Sequence, residues 1–168
     1  MEWTGARYAD RPTVEVRTWI DAPPEKVWAL VSDIELMPDM SEELRSVAWL
    51  DGATRPAVGA RFVGRSEHEA LGSWQTTSHV IECEPESVLA WAVEDPAAPS
   101  AVWRFRLRSE RGGTELAQWM QLGPGRSGLS AAIDRMPDKE QKIVFVRLRE
   151  FERNITVTLA RIKQRAEA

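Results

Sequence analysis

Residues 138–163 read DKEQKIVFVRLREFERNITVTLARIK. Within them Val144, Leu148, Phe151, Ile155, Leu159 and Ile162 recur every three or four positions. That spacing predicts a long helix with one apolar stripe. Asp138 suits the N-cap, and the Lys and Arg residues near the end suit the negative pole of the helix. The stripe has to be buried against something, and the only large apolar surface available lies upstream.

Upstream the period changes to two. Val14, Val16, Thr18 and Ile20 alternate with Glu15, Arg17, Trp19 and Asp21, which predicts a half-buried strand. Asp21-Ala22-Pro23-Pro24 ends it, and the prolines suit the first turn of a short helix carrying Val27, Trp28, Leu30, Val31 and Ile34. Residues 39–44 suit a second short helix. Residues 45–50, 60–69, 73–84, 87–94, 101–109 and 114–122 then read as strands. Short connectors make them consecutive antiparallel neighbours. The expected architecture is α+β, a curved antiparallel sheet wrapped around the C-terminal helix. The space between them is filled by side chains or, where filling is incomplete, by a ligand. Residues 1–12 read as a flexible leader and residues 13–166 as a single domain.

Composition narrows the function classes. The chain has 168 residues, 43% hydrophobic and 29% charged, with a formal net charge of −4, values that suit one soluble domain. Residues 138–168 hold eight Lys/Arg against five Asp/Glu, leaving 14 against 21 in the rest. An acidic body gives no electrostatic reason to expect a nucleic-acid partner. No apolar run is long enough to span a membrane. With one cysteine, Cys83, no internal disulfide can form, and a cytoplasmic location is expected. Two histidines of opposite strand parity and one distant cysteine make no metal-ligand set, so no metal is expected. No phosphate loop or nucleophile elbow is present, and no cofactor is expected. The unusual number is eight Trp against one Tyr. Several Trp in a small domain fill a core or line a pocket.

Ile20-Asp21-Ala22-Pro23-Pro24-Glu25-Lys26-Val27-Trp28, followed by Ser32-Asp33, resembles the opening of the START-like, Bet v 1-like superfamily (SRPBCC). Gly59-Ala60-Arg61-Phe62, Trp74 with Ser78 to Val80, Glu84-Pro85, and Gly112-Gly113-Thr114 agree with its polyketide cyclase/dehydrase group. The resemblance implies a helix-grip fold of seven strands, with two small helices closing one end. It also implies a deep cavity for lipid-like or polyketide-like molecules, in a family whose members bind, carry or cyclise them. In the aromatase/cyclase members it implies an inward arginine on the strand carrying Trp74 and Ser78. The matching position here is Val80, which points from catalysis toward binding.

Strand parity places a set of side chains inward. Phe62, Ser66 and His68 share one strand; Trp74, Thr76 and Ser78 the next; then come Trp91, Trp103, Phe105 and Gln118. The helix adds Leu148 and Phe151, and Trp28 closes one end. The same set would serve as a packed core. His68 is the one titrating base expected inside, with no orienting acid on its own strand, and no catalytic residue is assigned. Three functions follow: binding or carriage of a hydrophobic, lipid-like or aromatic, small molecule; polyketide cyclase/dehydrase-type catalysis by Ser78, His68 and Gln118; or a ligand-responsive regulatory partner, for which exposed Trp19, Trp49 or Trp119 would speak. The chain is expected to be a monomer or homodimer.

Overall fold

A computed structural model describes all 168 residues. Strand β1 (Thr13–Ile20) leads into helices α1 (Pro24–Val31) and α2 (Met37–Met40). Strands β2 (Leu44–Trp49), β3 (Arg61–His68), β4 (Gly72–Glu84), β5 (Val88–Val93), β6 (Ala101–Glu110) and β7 (Gly113–Leu122) follow. Helices α3 (Gly128–Arg135) and α4 (Glu140–Ala166) complete the chain. The seven strands form one antiparallel sheet in the order β1-β7-β6-β5-β4-β3-β2. This is the α+β helix-grip arrangement anticipated from the sequence. The meander forms because each connector is too short for anything but an adjacent antiparallel return. At the β6–β7 turn, Arg111 and Gly112 both hold positive φ, 51° and 75°, as a tight hairpin of primed type requires.

The sheet curls, and α4 lies along its concave face against β1. Val144, Leu148, Phe151, Ile155, Leu159 and Ile162 are all buried, so the 3.6-residue stripe is the face that meets the sheet. Ile20, Leu116 and Met120 cover it from the strands. A bulge in β4 between Val80 and Glu82 shifts the register by one residue. It turns Glu82 outward to meet Arg104 at 2.7 Å, while Cys83 packs against the core.

Trp19 and Trp119 lie half-buried on the outer face of the sheet, and Trp49 lies half-buried on the inner one. Arg104 lies 4.7 Å from the Trp119 ring centre, and Lys163 lies 5.5 Å from that of Trp19. Trp49 packs edge-on against Phe62. No cluster of exposed Trp forms from these three. The leader runs over the outer side of α4. Gln141 Nε2 donates to the Gly5 carbonyl at 2.7 Å, Arg7 pairs with Glu140 at 3.1 Å, and Trp3 meets Phe145 edge-on. The Tyr8 hydroxyl donates to the Gly125 carbonyl at 2.6 Å.

Ile162 is completely buried where α4 crosses the sheet. Ile162→Ala is expected to lower the unfolding free energy by about 2–5 kcal/mol, as buried large-to-small changes do. Urea titration measures it. A loss below about 1 kcal/mol, small for a core truncation, would mean that the grip on α4 is not tight.

Candidate functional site

Curling leaves more room between sheet and helix than the side chains fill. A cavity of about 470 Å³ remains, bounded by the inner face of the sheet, α2, α4 and the start of α3. That lies within the range of about 300–1,000 Å³ common for small-molecule pockets. Exposed Gln75, Glu94 and Arg126 stand at its mouth.

Of the residues expected inside, Phe62, Ser66, Trp74, Thr76, Ser78, Trp91, Trp103, Phe105, Gln118 and Phe151 line this cavity. The aromatic ones touch in a series. Phe62 lies 5.9 Å from Trp91, and Trp91 lies 6.0 Å from Phe105. Trp103 meets Phe151 of the helix at 5.5 Å. Gln118 sits among them on β7, with only 7% of its surface exposed. Its amide oxygen has no hydrogen-bond partner in the protein. A buried amide left so is costly, about 1–3 kcal/mol, unless a guest or a water supplies the partner.

Three expected residues lie elsewhere. Trp28 packs half-buried against the core from α1, and Leu148 is buried in the core itself. His68 sits at the end of β3, beside the cavity and off its wall. Parity aimed it correctly toward α4, but a neighbour on the helix holds it back. Its Nε2 lies 2.6 Å from Glu150 Oε2. Its Nδ1 accepts from the backbone N–H groups of Ala70 and Leu71 at 2.9 and 3.1 Å. A nitrogen that accepts twice carries no proton, so the proton is on Nε2 and points at Glu150. The orienting acid that β3 could not provide comes from α4.

Glu150 belongs to a larger, partly buried cluster centred on buried Arg147. Arg147, whose side chain is only 7% exposed, grips both oxygens of Glu43 at 2.6 and 2.8 Å and reaches Glu150 at 2.8 Å. Asn154 donates to Glu43 at 3.1 Å, and the Arg147 guanidinium lies 4.1 Å from the Phe151 ring centre. Burial opposes the guanidinium's charge, but the bonds to Glu43 and Glu150 outweigh it and hold the Arg147 pKa above its ordinary value. Glu43, Arg147 and Asn154 all line the cavity. Sequence reading missed them. The available signal was Arg147 itself, three residues after Val144 and four before Phe151, a charge set inside the apolar stripe. Glu43, His68 and Glu150 converge closely enough to suggest a metal site, but the guanidinium bonded to both carboxylates already supplies the cation there.

The sequence model of the family described as polyketide cyclase / dehydrase and lipid transport matches residues 11–167. The chain belongs to this family. Among solved structures, a polyketide-cyclase-like protein from Corynebacterium glutamicum is 30% identical, with a TM-score of 0.65 over 90% of this chain and 88% of that one. The ZhuI aromatase/cyclase from a Streptomyces species is 18% identical, with a TM-score of 0.64 over 93% of each chain. The di-domain aromatase/cyclase of the steffimycin biosynthetic pathway is 11% identical, with a TM-score of 0.64 over 92% of this chain and 50% of that one. The last two show the shared fold alone. No curated protein matches the chain. No helix is long and apolar enough to cross a membrane.

Removing Arg147 leaves two carboxylates facing each other in a largely buried site. Arg147→Met is expected to cost about 3–5 kcal/mol of stability. Changing Glu43 and Glu150 to Leu in the same chain should restore most of it, because the uncompensated charges go too. Guanidinium denaturation of the single and triple variants checks both. A single-variant loss below about 1 kcal/mol would put the cluster in the class of exposed ion pairs.

Proposed function

We propose that the protein binds a hydrophobic small molecule with a flat ring system, held between the aromatic wall and α4. The observation that carries this reading is Gln118, buried on the wall of a 470 Å³ cavity with its amide oxygen unpartnered. A packed core would satisfy that group or exclude it. Edge and face contacts from Trp91, Trp103 and Phe105 suit a planar guest, and Gln118 with Ser78 offers hydrogen bonds to an oxygen substituent. Membership of a family named for cyclisation and lipid transport supports the same reading. The single cysteine suits work in a reducing compartment such as the cytoplasm.

Cyclase/dehydrase-type catalysis is the second reading. It is favoured by Glu43, the one carboxylate on the wall that is not exposed. Catalysis there would use Glu43 as the proton acceptor, with Ser78 and Gln118 holding the substrate oxygen.

Native mass spectrometry of the purified protein should show a bound species, and a naphthol should quench the emission of the cavity tryptophans. Gln118→Leu keeps the volume and removes the amide. It is expected to leave the fold intact and to weaken naphthol binding by about 1–1.5 kcal/mol, roughly tenfold. No bound species and no quenching by any neutral polycycle would remove the binding reading. Glu43→Gln separates the second reading from the first: a catalyst would lose turnover while retaining its guest.

A further inference from the structure

The charged end of the cavity carries an imbalance. Glu43 and Glu150 bring two carboxylates, and Arg147 brings one guanidinium bonded to both. His68, the remaining titratable group in contact, carries its proton on Nε2 and accepts with Nδ1, so it is neutral. Asn154 is uncharged. The cluster is therefore net negative, and it stands beside Phe151 and Trp103 on the cavity wall. At the mouth, Arg126 is paired with Asp134, whereas Glu94 makes no ion pair. The mouth adds no positive charge to offset the interior.

The aromatic wall acts in the same direction. Indole and phenyl faces are negative, attract cations and repel anions. Arg147 already lies over Phe151 in this way. Low-dielectric surroundings strengthen both effects. Two independent features, an incompletely neutralised pair of carboxylates and an aromatic wall, favour the same head group.

From these we infer that the cavity selects an aromatic or otherwise apolar guest ending in an amine, and discriminates against carboxylates. The ammonium would lie at the Glu43 end, drawing on the carboxylate that Arg147 only half neutralises, with its apolar body toward Trp91 and Trp103. This rests on the cavity being a ligand site.

Three probes with one body test it: anthracenylmethylamine, anthracenylmethanol and anthracenecarboxylate. Each is titrated against the full chain by quenching of Trp emission. The amine is expected to bind about tenfold or more tighter than the carboxylate, with the alcohol between, a modest preference for a partly neutralised buried charge. Raising the salt concentration should change that ratio little, because partly buried charges are screened less than the exposed charges of the mouth. Glu150→Gln removes one negative charge from behind Arg147 without altering the wall, and should narrow the ratio at least severalfold. If the alcohol binds but amine and carboxylate bind equally, or the carboxylate binds best, the inference is overturned and ligand binding stands. If the ratio collapses with salt, selection belongs to the mouth and the inference is likewise overturned. If none of the three binds, the binding reading fails and takes the inference with it.

Discussion

The apolar stripe of α4 lies against the concave face of a sheet whose edge strands, β1 and β2, do not meet. A straight helix about one nanometre across cannot fill the hollow of a strongly curled seven-stranded sheet along its whole length. Contact is made along β1, and Val144, Leu148 and Leu159 of the helix are buried off the cavity wall. Toward β3, β4 and β5 the sheet bends away, and the space opens. The cavity is thus a consequence of how the core is built. The same helix that closes the core also forms one wall of the site, through Phe151 and Ile155.

The charged cluster bridges that gap between α4 and the β2–β3 edge. Glu43 precedes β2, His68 ends β3, and Arg147, Glu150 and Asn154 come from α4. Buried ion pairs seldom add much net stability relative to a well-packed apolar alternative, so the cluster is better understood as fixing a geometry. It holds the helix at a set distance from the β2–β3 edge and places one end of the cavity under the influence of a fixed charge.

The fold was legible because two periods, 3.6 over 144–162 and 2 along each strand, are local properties of the chain. Connector lengths did the rest. Nine inward strand residues followed from parity alone, because a strand has only two faces. The failures have a common cause. His68 was aimed correctly, but its partner Glu150 is 82 residues away. Glu43, at the start of a strand, has no parity to assign, and its bonds to Arg147 cross 104 residues. Trp28 lies on a short helix whose docking angle no periodicity fixes. Sequence periodicity tells which way a side chain points from its own element, and nothing about what another element brings to meet it.

The position of the guanidinium bears most on what the site can do. In the resemblance drawn from sequence, an inward arginine on the strand of Trp74 and Ser78 would face a substrate carbonyl. Here that position is Val80, fully buried in the core. The cavity's buried arginine comes instead from α4, with both Glu43 oxygens and Glu150 already bonded to it. An electrostatic catalyst needs donors free and preorganised toward the charge that develops in the transition state. Three of the five N–H groups of Arg147 are committed to carboxylates, which also neutralise its field. A guanidinium held in this way stabilises little new negative charge, and two carboxylates beside it oppose any that forms. The chemistry that would use a developing enolate is therefore disfavoured at this end of the cavity, while recognition of a guest that accepts a negative surround is favoured by the same residues.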